Sequence, residues 1–340
     1  MRRIVAAVLS IILAFTVVVP MTSCDGTEST FISDDVIIRN LVDERFEFVA
    51  LAFRLGTWFP PLTATSSNYH RRLNARFSRF RDHEAIQAVS QSLTTFMDAF
   101  MLASNLEITD YGFALRCWDT YQSDLQLHRD HNMLLSIVDK LNDFHRESNF
   151  REFFNNEENQ QYFMRLSRDH IRNVYRYINF EWFEQFGLIP DNMHVILMPS
   201  LVSGGFGASL RDADDNVHIA YAVLGMGAME QLWVTIHEFA HSFGNALADQ
   251  WIDDGNFDFW LLALDTSRRG PRGYEYSRNV RIMAYEYIVR SLTILYMLDN
   301  TNQRLDSLFQ RDRNLGFRNI AEVFDMLMRY LGRYELIQSD

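Results

Sequence analysis

The sequence of 340 residues is poor in residues that break helices or cross-link a chain, with six prolines, fifteen glycines and two cysteines. Few prolines and glycines, together with 14% aromatic residues, argue against a many-turned β-sandwich and favour long helices packed through bulky side chains. Two cysteines allow at most one disulfide. Stability must therefore come mainly from burial of a core, which a chain of this length can supply.

The sequence also lacks an excess of positive charge. Arginine and lysine number 32 against 44 acidic residues, so the net charge is −12, and Lys140 is the only lysine. Neutralising a phosphate backbone requires clustered basic residues, and the chain has no basic stripe. Nucleic acid is therefore excluded as the main partner.

No apolar run reaches the length of a typical membrane-spanning helix. Arg2 and Arg3 precede a run from Ile4 to Val19, which is shorter than the roughly 20 residues that a spanning helix needs. A basic start, a short apolar stretch and small residues before Cys24 are typical of a secretory signal and resemble the lipobox of bacterial lipoproteins. We therefore predict a lipoprotein signal peptide at residues 1–23 and a lipid anchor on Cys24. Ordinary signal cleavage and an uncleaved anchor are the alternatives.

The remaining chain is expected to be a polar tether at residues 24–33 and one folded domain at 34–340, because no repeat or linker divides it. With Cys24 lipidated, Cys117 has no partner for an intramolecular disulfide. Its apolar surroundings predict a buried, inert thiol. The predicted location is the cell envelope, lipid-anchored, on the periplasmic or surface face.

Apolar residues at three- and four-residue spacing predict a mainly helical body. The predicted helices cover about 34–55, with Asp34 and Asp35 as caps and Gly56 as the stop, and then 84–105, 119–146, 150–178, 181–186, 228–250, 280–299 and 317–331. Short β-like runs at 194–198 and 217–224 flank a glycine-rich stretch and an acidic turn. We therefore expect an α+β, mainly α, single domain with a small antiparallel sheet.

One motif, His237-Glu238-Phe239-Ala240-His241, indicates specific chemistry. Residues four apart on a helix lie one above the other, so both imidazoles can reach one metal ion. In zinc hydrolases of this pattern the metal lowers the pKa of a water molecule, and the glutamate, here Glu238, takes and returns the proton. At this chain's composition the bare pattern is expected by chance about 0.015 times. A helix whose histidines only hydrogen-bond neighbours is the alternative.

The third ligand is less directly indicated. Gly244 fits a metzincin continuation, but Leu247 stands where that class has a histidine, so that class is excluded. Asp249 lies about two helical turns past His241, too far to share the ion on a straight helix. The loop-like stretch that follows offers four further candidates: Asp253, Asp254, Asp258 and Glu275.

Glu286 is the preferred third ligand. Its helix is apolar nearly all round and should be buried, and a buried carboxylate needs a strong partner. Zinc is one such partner, as in the gluzincin arrangement, and Arg290 one turn later is the other. Both can act together, with Arg290 supporting the ligand from behind.

Further polar residues have weaker assignments. Asn245 shares the face of His241 and can orient that ring, or it is a polar residue at the helix end. Peptide hydrolysis also needs a donor for the developing oxyanion. The candidates are Tyr274, Tyr276, Tyr285 and His218, each of which is more commonly a core or rim residue.

The chain resembles a family of uncharacterised secreted or lipid-anchored bacterial proteins, grouped as a domain of unknown function with a zincin-type motif. The matching stretches are residues 42–56, 142–150, 203–207, 236–245 and 286–290. The resemblance covers about residues 40–330. It implies a zincin-like fold and a zinc metallopeptidase of the gluzincin kind, supports Glu286 as a ligand, and implies no particular substrate.

Two function classes remain open. The leading expectation is a zinc-dependent peptidase of the cell envelope, acting on a peptide or protein substrate, with His237, His241 and Glu286 as ligands and Glu238 as base. The alternative is a non-catalytic envelope lipoprotein that binds peptides or glycans and carries a structural or vestigial metal site. A retained Glu238 argues against the alternative, because a structural zinc site needs ligands but no base.

Overall fold

The computed structural model describes residues 31–33, 36–38, 41–56, 67–93, 95–116, 130–201, 204–212, 216–255 and 279–333. The predicted signal peptide at 1–23, Cys24 and Cys117 lie outside these ranges. Phe31–Ser33 forms a strand, where a loop-like tether was predicted. Within the described residues, no helix combines the length and apolarity needed to cross a membrane.

The described chain is mainly helical. Its α-helices are α1 (Glu44–Gly56), α2 (Asn68–Phe77), α3 (Glu84–Ser92), α4 (Phe96–Ser104), α5 (His131–Ser148), α6 (Phe150–Phe154), α7 (Glu157–Asn173), α8 (Leu232–Asp253), α9 (Val280–Asn300), α10 (Leu305–Asn314) and α11 (Ile320–Tyr330). Short 3-10 helices occupy Ser78–Phe80, Tyr175–Tyr177, Phe180–Phe186 and Pro190–Asn192. The prediction of an α+β, mainly α chain is confirmed.

The strands form three small sheets. β1 (Phe31–Ser33) pairs with β2 (Val36–Ile38), and β3 (Leu106–Thr109) pairs with β4 (Gly112–Leu115), both antiparallel. The third sheet has the order β5 (Met193–Met198), β7 (Val217–Gly225), β6 (Gly205–Arg211). β5 runs parallel to β7, while β6 is antiparallel to it.

A small antiparallel sheet is present, as predicted, in β3 and β4, but the sheet formed by the predicted strands at 194–198 and 217–224 is mixed. A hairpin joins β6 to β7, closed by Asp212 N–H donating to the Asn216 carbonyl at 3.0 Å and Asn216 N–H donating to Asp212 Oδ1 at 2.9 Å. The chain after β5 crosses to the far edge before returning, so β7 enters between the two earlier strands. Period-two hydrophobicity indicates strands but carries no information on which neighbour each strand selects.

Several predicted helices are divided or shortened by caps. The helix expected over 34–55 begins only at Glu44, because Val36–Ile38 is a strand. The one expected over 84–105 is interrupted where Thr95 and Asp98 form a capping box. The one expected over 150–178 restarts after Asn156, whose side chain accepts from the Asn159 N–H. The helices α2 and α10 were not predicted, because both have strongly polar sequences.

The core places α8 against the third sheet. Buried apolar residues form one continuous cluster that includes the sheet, α1, α8 and α9. α8 packs on β6 and β7 on one side and on α9 on another. The aromatic segments at 150–154 and 180–183 contribute Phe150, Phe153 and Phe183 to this cluster, so these side chains pack in the core.

Candidate metal centre

The helix α8 carries both histidines of the motif and runs unbroken past Gly244 to Asp253. Gly244 is the point of close contact with α9. A Cβ there would lie 2.9 Å from Val289 Cγ2 and 3.0 Å from Leu292 Cδ1, both tighter than ordinary contact. The absence of a side chain lets the two helices approach, and the approach brings α9 beside the histidines.

Three side chains from these two helices converge. His237, His241 and Glu286 each offer one ligand atom, and those atoms lie within 4.8 Å of one another. His237 Nε2 lies 3.8 Å from Glu286 Oε2, and His241 Nε2 lies 3.6 Å from Glu286 Oε1. The two imidazole planes are nearly perpendicular, at 86°.

The spacing of the three side chains can be compared with that of a zinc site. Zinc takes imidazole nitrogen and carboxylate oxygen at about 2.0–2.2 Å, so two ligand atoms on a tetrahedral ion stand about 3.4 Å apart. The separations of 3.6 and 3.8 Å, which involve the two different oxygens of Glu286, are close to that value, and one ligand atom from each residue lies within 4.8 Å of the others. The geometry shows that these three residues can hold a metal ion.

Each helix also supplies a residue that orients a ligand. His241 Nδ1 lies 3.1 Å from Asn245 Oδ1, and an amide oxygen can only accept, so Nδ1 carries the proton and Nε2 presents its lone pair to the cluster. Asn245 therefore lies where it can orient the His241 ring, and the helix continues past it to Asp253. On α9, Arg290 Nη2 donates to Glu286 Oε2 at 3.2 Å.

Asp312 on α10 is a member of this site that the sequence analysis missed. Its fully buried carboxylate accepts from Arg290 Nη1 at 2.7 Å and lies 3.5 Å from Arg311 Nη2. Arg290 also packs over the ring of Phe317, 4.0 Å from its centroid. The sequence does contain one indication of its burial, because Asp312 follows the buried Leu308 by one turn, on the apolar face of a helix.

Glu238 lies beside the cluster without belonging to it. Burial raises the pKa of its carboxyl well above the usual value of 4.5, and the negative charge of Glu286 raises it further. Arg290 and the backbone N–H of Gly207, which donates to the carboxylate, partly offset this rise in pKa. A carboxyl with a raised pKa is suited to taking up and returning a proton.

The glycine-rich strand β6 forms a wall of the site. A Cβ on Gly205 would lie 2.6 Å from Glu238 Oε1, and one on Gly207 would lie 2.3 Å from the Glu238 carbonyl oxygen. Phe206, between them, contacts Phe100 of α4 instead. Successive strand residues point to opposite faces, so the two glycines face α8 and allow strand and helix to touch.

Other predicted site residues lie elsewhere. The Asp249 carboxylate accepts from the Tyr285 hydroxyl at 2.8 Å and from Arg281 Nε at 2.5 Å, so both Asp249 and Tyr285 are engaged away from the cluster. Asp253 and Asp254 are exposed at the end of α8. His218 is a half-buried residue of β7. Tyr274, Tyr276, Asp258 and Glu275 lie outside the described residues.

Comparison with known protein families gives one result, which covers most of the chain. Residues 47–338 match the family described as a domain of unknown function, DUF4932. The chain belongs to the DUF4932 family. No curated protein matches the chain, and no solved structure matches it. The DUF4932 match includes both helices of the candidate metal centre together with β6 and α10.

Proposed function

We propose that this DUF4932 protein is a zinc-dependent peptidase of zincin-like arrangement. The observation that carries the proposal is the position of Glu238, a buried carboxyl beside three convergent ligands that is not one of them. The described residues place two histidines and one carboxylate in the cluster. That set is typical of catalytic zinc sites, which keep a coordination position open, whereas structural sites use four protein ligands.

The chemistry divides between the bound ion and the chain. Zinc, when bound, would act as a Lewis acid that polarises the peptide carbonyl and lowers the pKa of a water molecule. Glu238 would accept the proton of that water and deliver it to the leaving amine. The Gly207 N–H would hold the Glu238 carboxylate and limit its movement between these steps, while the charge of Arg290 partly offsets the rise in its pKa.

Strand β6 supports a peptide as the substrate. It is the outer strand of the described three-stranded sheet, and its residues Gly205 and Gly207 lie against Glu238 and His241. The edge strand of a sheet can pair with an extended peptide through main-chain hydrogen bonds. A peptide bound along β6 would present its backbone to the site, and this mode of binding would not require any particular side chain.

The test is metal content measured together with hydrolysis. Protein purified without chelator should contain about one zinc per chain by elemental analysis and should cleave members of a fluorogenic peptide library. His237→Ala and Glu286→Gln should lose zinc, because each removes one of three ligands. Glu238→Gln should retain zinc but lose hydrolysis by about 100-fold or more.

Asp249→Asn is the matched control, because Asp249 lies on the same helix but bonds to Tyr285 and Arg281. It should retain both zinc and hydrolysis. Full activity of Glu238→Gln would refute the assigned base, and absence of zinc after zinc is supplied would refute the peptidase. Saturable peptide or glycan binding without turnover would instead support the binding lipoprotein.

We also propose that the protein is lipid-anchored in the cell envelope, on the basis of residues 1–24. Cells expressing the full chain should incorporate a labelled fatty acid into the protein, and Cys24→Ser should abolish that labelling. Labelling that persists in Cys24→Ser would contradict the proposed anchor.

A further inference from the structure

Arg311 lies one aromatic ring away from the candidate metal ligands. Its guanidinium carbon packs over Trp233, 3.0 Å from the ring centroid. The Trp233 ring in turn stacks beside that of His237, with centroids 6.2 Å apart and planes at 26°. Trp233 precedes His237 by one helical turn, so Arg311, Trp233 and the histidines follow one face of α8.

The positive charge of Arg311 is only partly compensated. Its acidic contact is Asp312, at 3.5 Å, and the same carboxylate accepts a shorter bond of 2.7 Å from Arg290. Burial lowers the pKa of Arg311 to about 10, because the attraction of Asp312 does not fully offset the loss of hydration. Its Nε is buried without a hydrogen-bond partner among the described residues. The part of the guanidinium that remains exposed can therefore bind a second anionic group.

Arg311 is also within reach of a ligand from solvent. Its side chain is 29% exposed. It borders a surface depression whose other lining residues are Asp306, Ser307, Gln310, Asn314 and Leu315. The acidic member, Asp306, is 91% exposed and lies 4.0 Å from Arg304, so it points to solvent.

We propose that Arg311 binds a carboxylate of the peptide substrate, with Trp233 as the surface on which the adjoining residue rests. This inference rests on the proposed peptidase function and specifies its substrate class. The path from Arg311 across the Trp233 ring to the His237 ring is up to about 9 Å, from separations of 3.0 and 6.2 Å, and each residue of an extended peptide covers about 3.3 Å. The carboxylate therefore belongs about two to three residues from the scissile bond. It is either an acidic side chain or a free C-terminus.

Binding by an inactive protein tests the inference apart from catalysis. The full chain carrying Glu238→Gln, loaded with zinc, is titrated with fluorescein-labelled alanine-based hexapeptides, and anisotropy gives Kd. Three sets are compared: peptides with a free C-terminus, the same peptides amidated, and amidated peptides with glutamate or glutamine at each position in turn. We expect the carboxylate-bearing member of the free or glutamate set to bind at least tenfold more tightly than its neutral match.

Arg311→Gln in the same background should remove that difference while leaving the affinity for neutral peptides within about twofold. Arg311→Lys keeps the charge but loses the forked donor pair, so its preference should be intermediate. Arg313→Gln is the control, because Arg313 lies on the same helix over the ring of Phe309 and away from Trp233. It should bind as the parent does.

Three results would overturn the inference: equal binding of charged and neutral peptides, equal weakening of both by Arg311→Gln, and no binding of any peptide. The first two would leave Arg311 as a packing residue. Failure of the peptidase proposal can be told apart from failure of the Arg311 inference. The peptidase proposal fails if the zinc-loaded protein with Glu238 intact shows no hydrolysis. Carboxylate-dependent binding together with that absence would retain the Arg311 site and refute the peptidase. Tighter binding of the free-C-terminus peptides or of the glutamate peptides shows which of the two supplies the carboxylate.

Discussion

Asp312→Asn should both destabilise the protein and weaken its metal site. Asp312 is fully buried and holds Arg290, whose other bond is to Glu286. The substitution keeps the shape and one acceptor oxygen but removes the negative charge shared by Arg290 and Arg311. Two guanidiniums would then remain near one neutral amide.

The expected magnitude follows from this geometry. Removing one partner of a buried charge pair costs about 3–5 kcal/mol. Asparagine can still accept from Arg290, although a neutral hydrogen bond is worth roughly 1 kcal/mol less than a charge-assisted one. We therefore expect the free energy of unfolding to fall by about 2–3 kcal/mol. Zinc affinity should fall about tenfold or more, because Arg290 would bond more closely to Glu286 and compete with the metal for its carboxylate.

Two measurements check these values. Urea denaturation of metal-free protein gives the free energy of unfolding, and competition with a chromophoric chelator gives the zinc affinity. Asp306→Asn is the matched control, because Asp306 lies on the same helix with a side chain that is 91% exposed. Its unfolding free energy should change by less than about 0.5 kcal/mol. An Asp312→Asn protein with unchanged stability and zinc affinity would refute the role assigned to Asp312.

Three further predictions follow from contacts near α8 and α1. Gly205→Ala should retain zinc yet lose hydrolysis by about 100-fold. The new Cβ would lie 2.6 Å from Glu238 Oε1, whereas an ordinary contact is at least 3.4 Å, so it would displace the base. An unchanged kcat would contradict this prediction. Asn245→Ala should weaken zinc binding about tenfold with little change in unfolding temperature, because His241 loses the acceptor that orients its ring. A zinc affinity equal to that of the unmodified protein would show that another group orients the ring. Burial raises the pKa of Glu47 above 4.5, outweighing hydrogen bonds from neighbouring groups. A raised folded-state pKa means that the contribution of Glu47 to stability is fully present below pH 4.5 and is lost as pH rises through the folded pKa. Urea denaturation from pH 4.5 upward should therefore show a steeper fall for the native protein than for Glu47→Gln, and parallel curves would refute the assignment.

The candidate metal centre could be predicted largely because its signals are local. His237 and His241 are four apart in a helical pattern, and helix geometry alone places them on one face. Glu286 was inferred from a carboxylate in an apolar helix, which requires a partner whatever the fold. The structure brings these three together, and Asn245 and Arg290 lie against them.

Strand pairing could not be predicted in the same way. The runs at 194–198 and 217–224 indicate strands, but whether they are parallel depends on β6, which takes the far edge of the sheet. The polar helices α2 and α10 escaped detection because their apolar faces are narrow. Their helical state depends on packing and on caps such as Ser67, whose hydroxyl accepts from the His70 N–H.

The mainly helical class, the net negative charge, the paired histidines with their glutamate and Glu286 as a candidate third ligand could all be inferred from the sequence. Each follows from composition or from spacing within one element. The tertiary structure alone decided what surrounds that motif: the glycine wall of β6 against Glu238, the contact at Gly244, Asp312 behind Arg290, and Arg311 over Trp233. These contacts join residues distant along the chain, and their partners are selected by packing of whole elements, which no local pattern specifies.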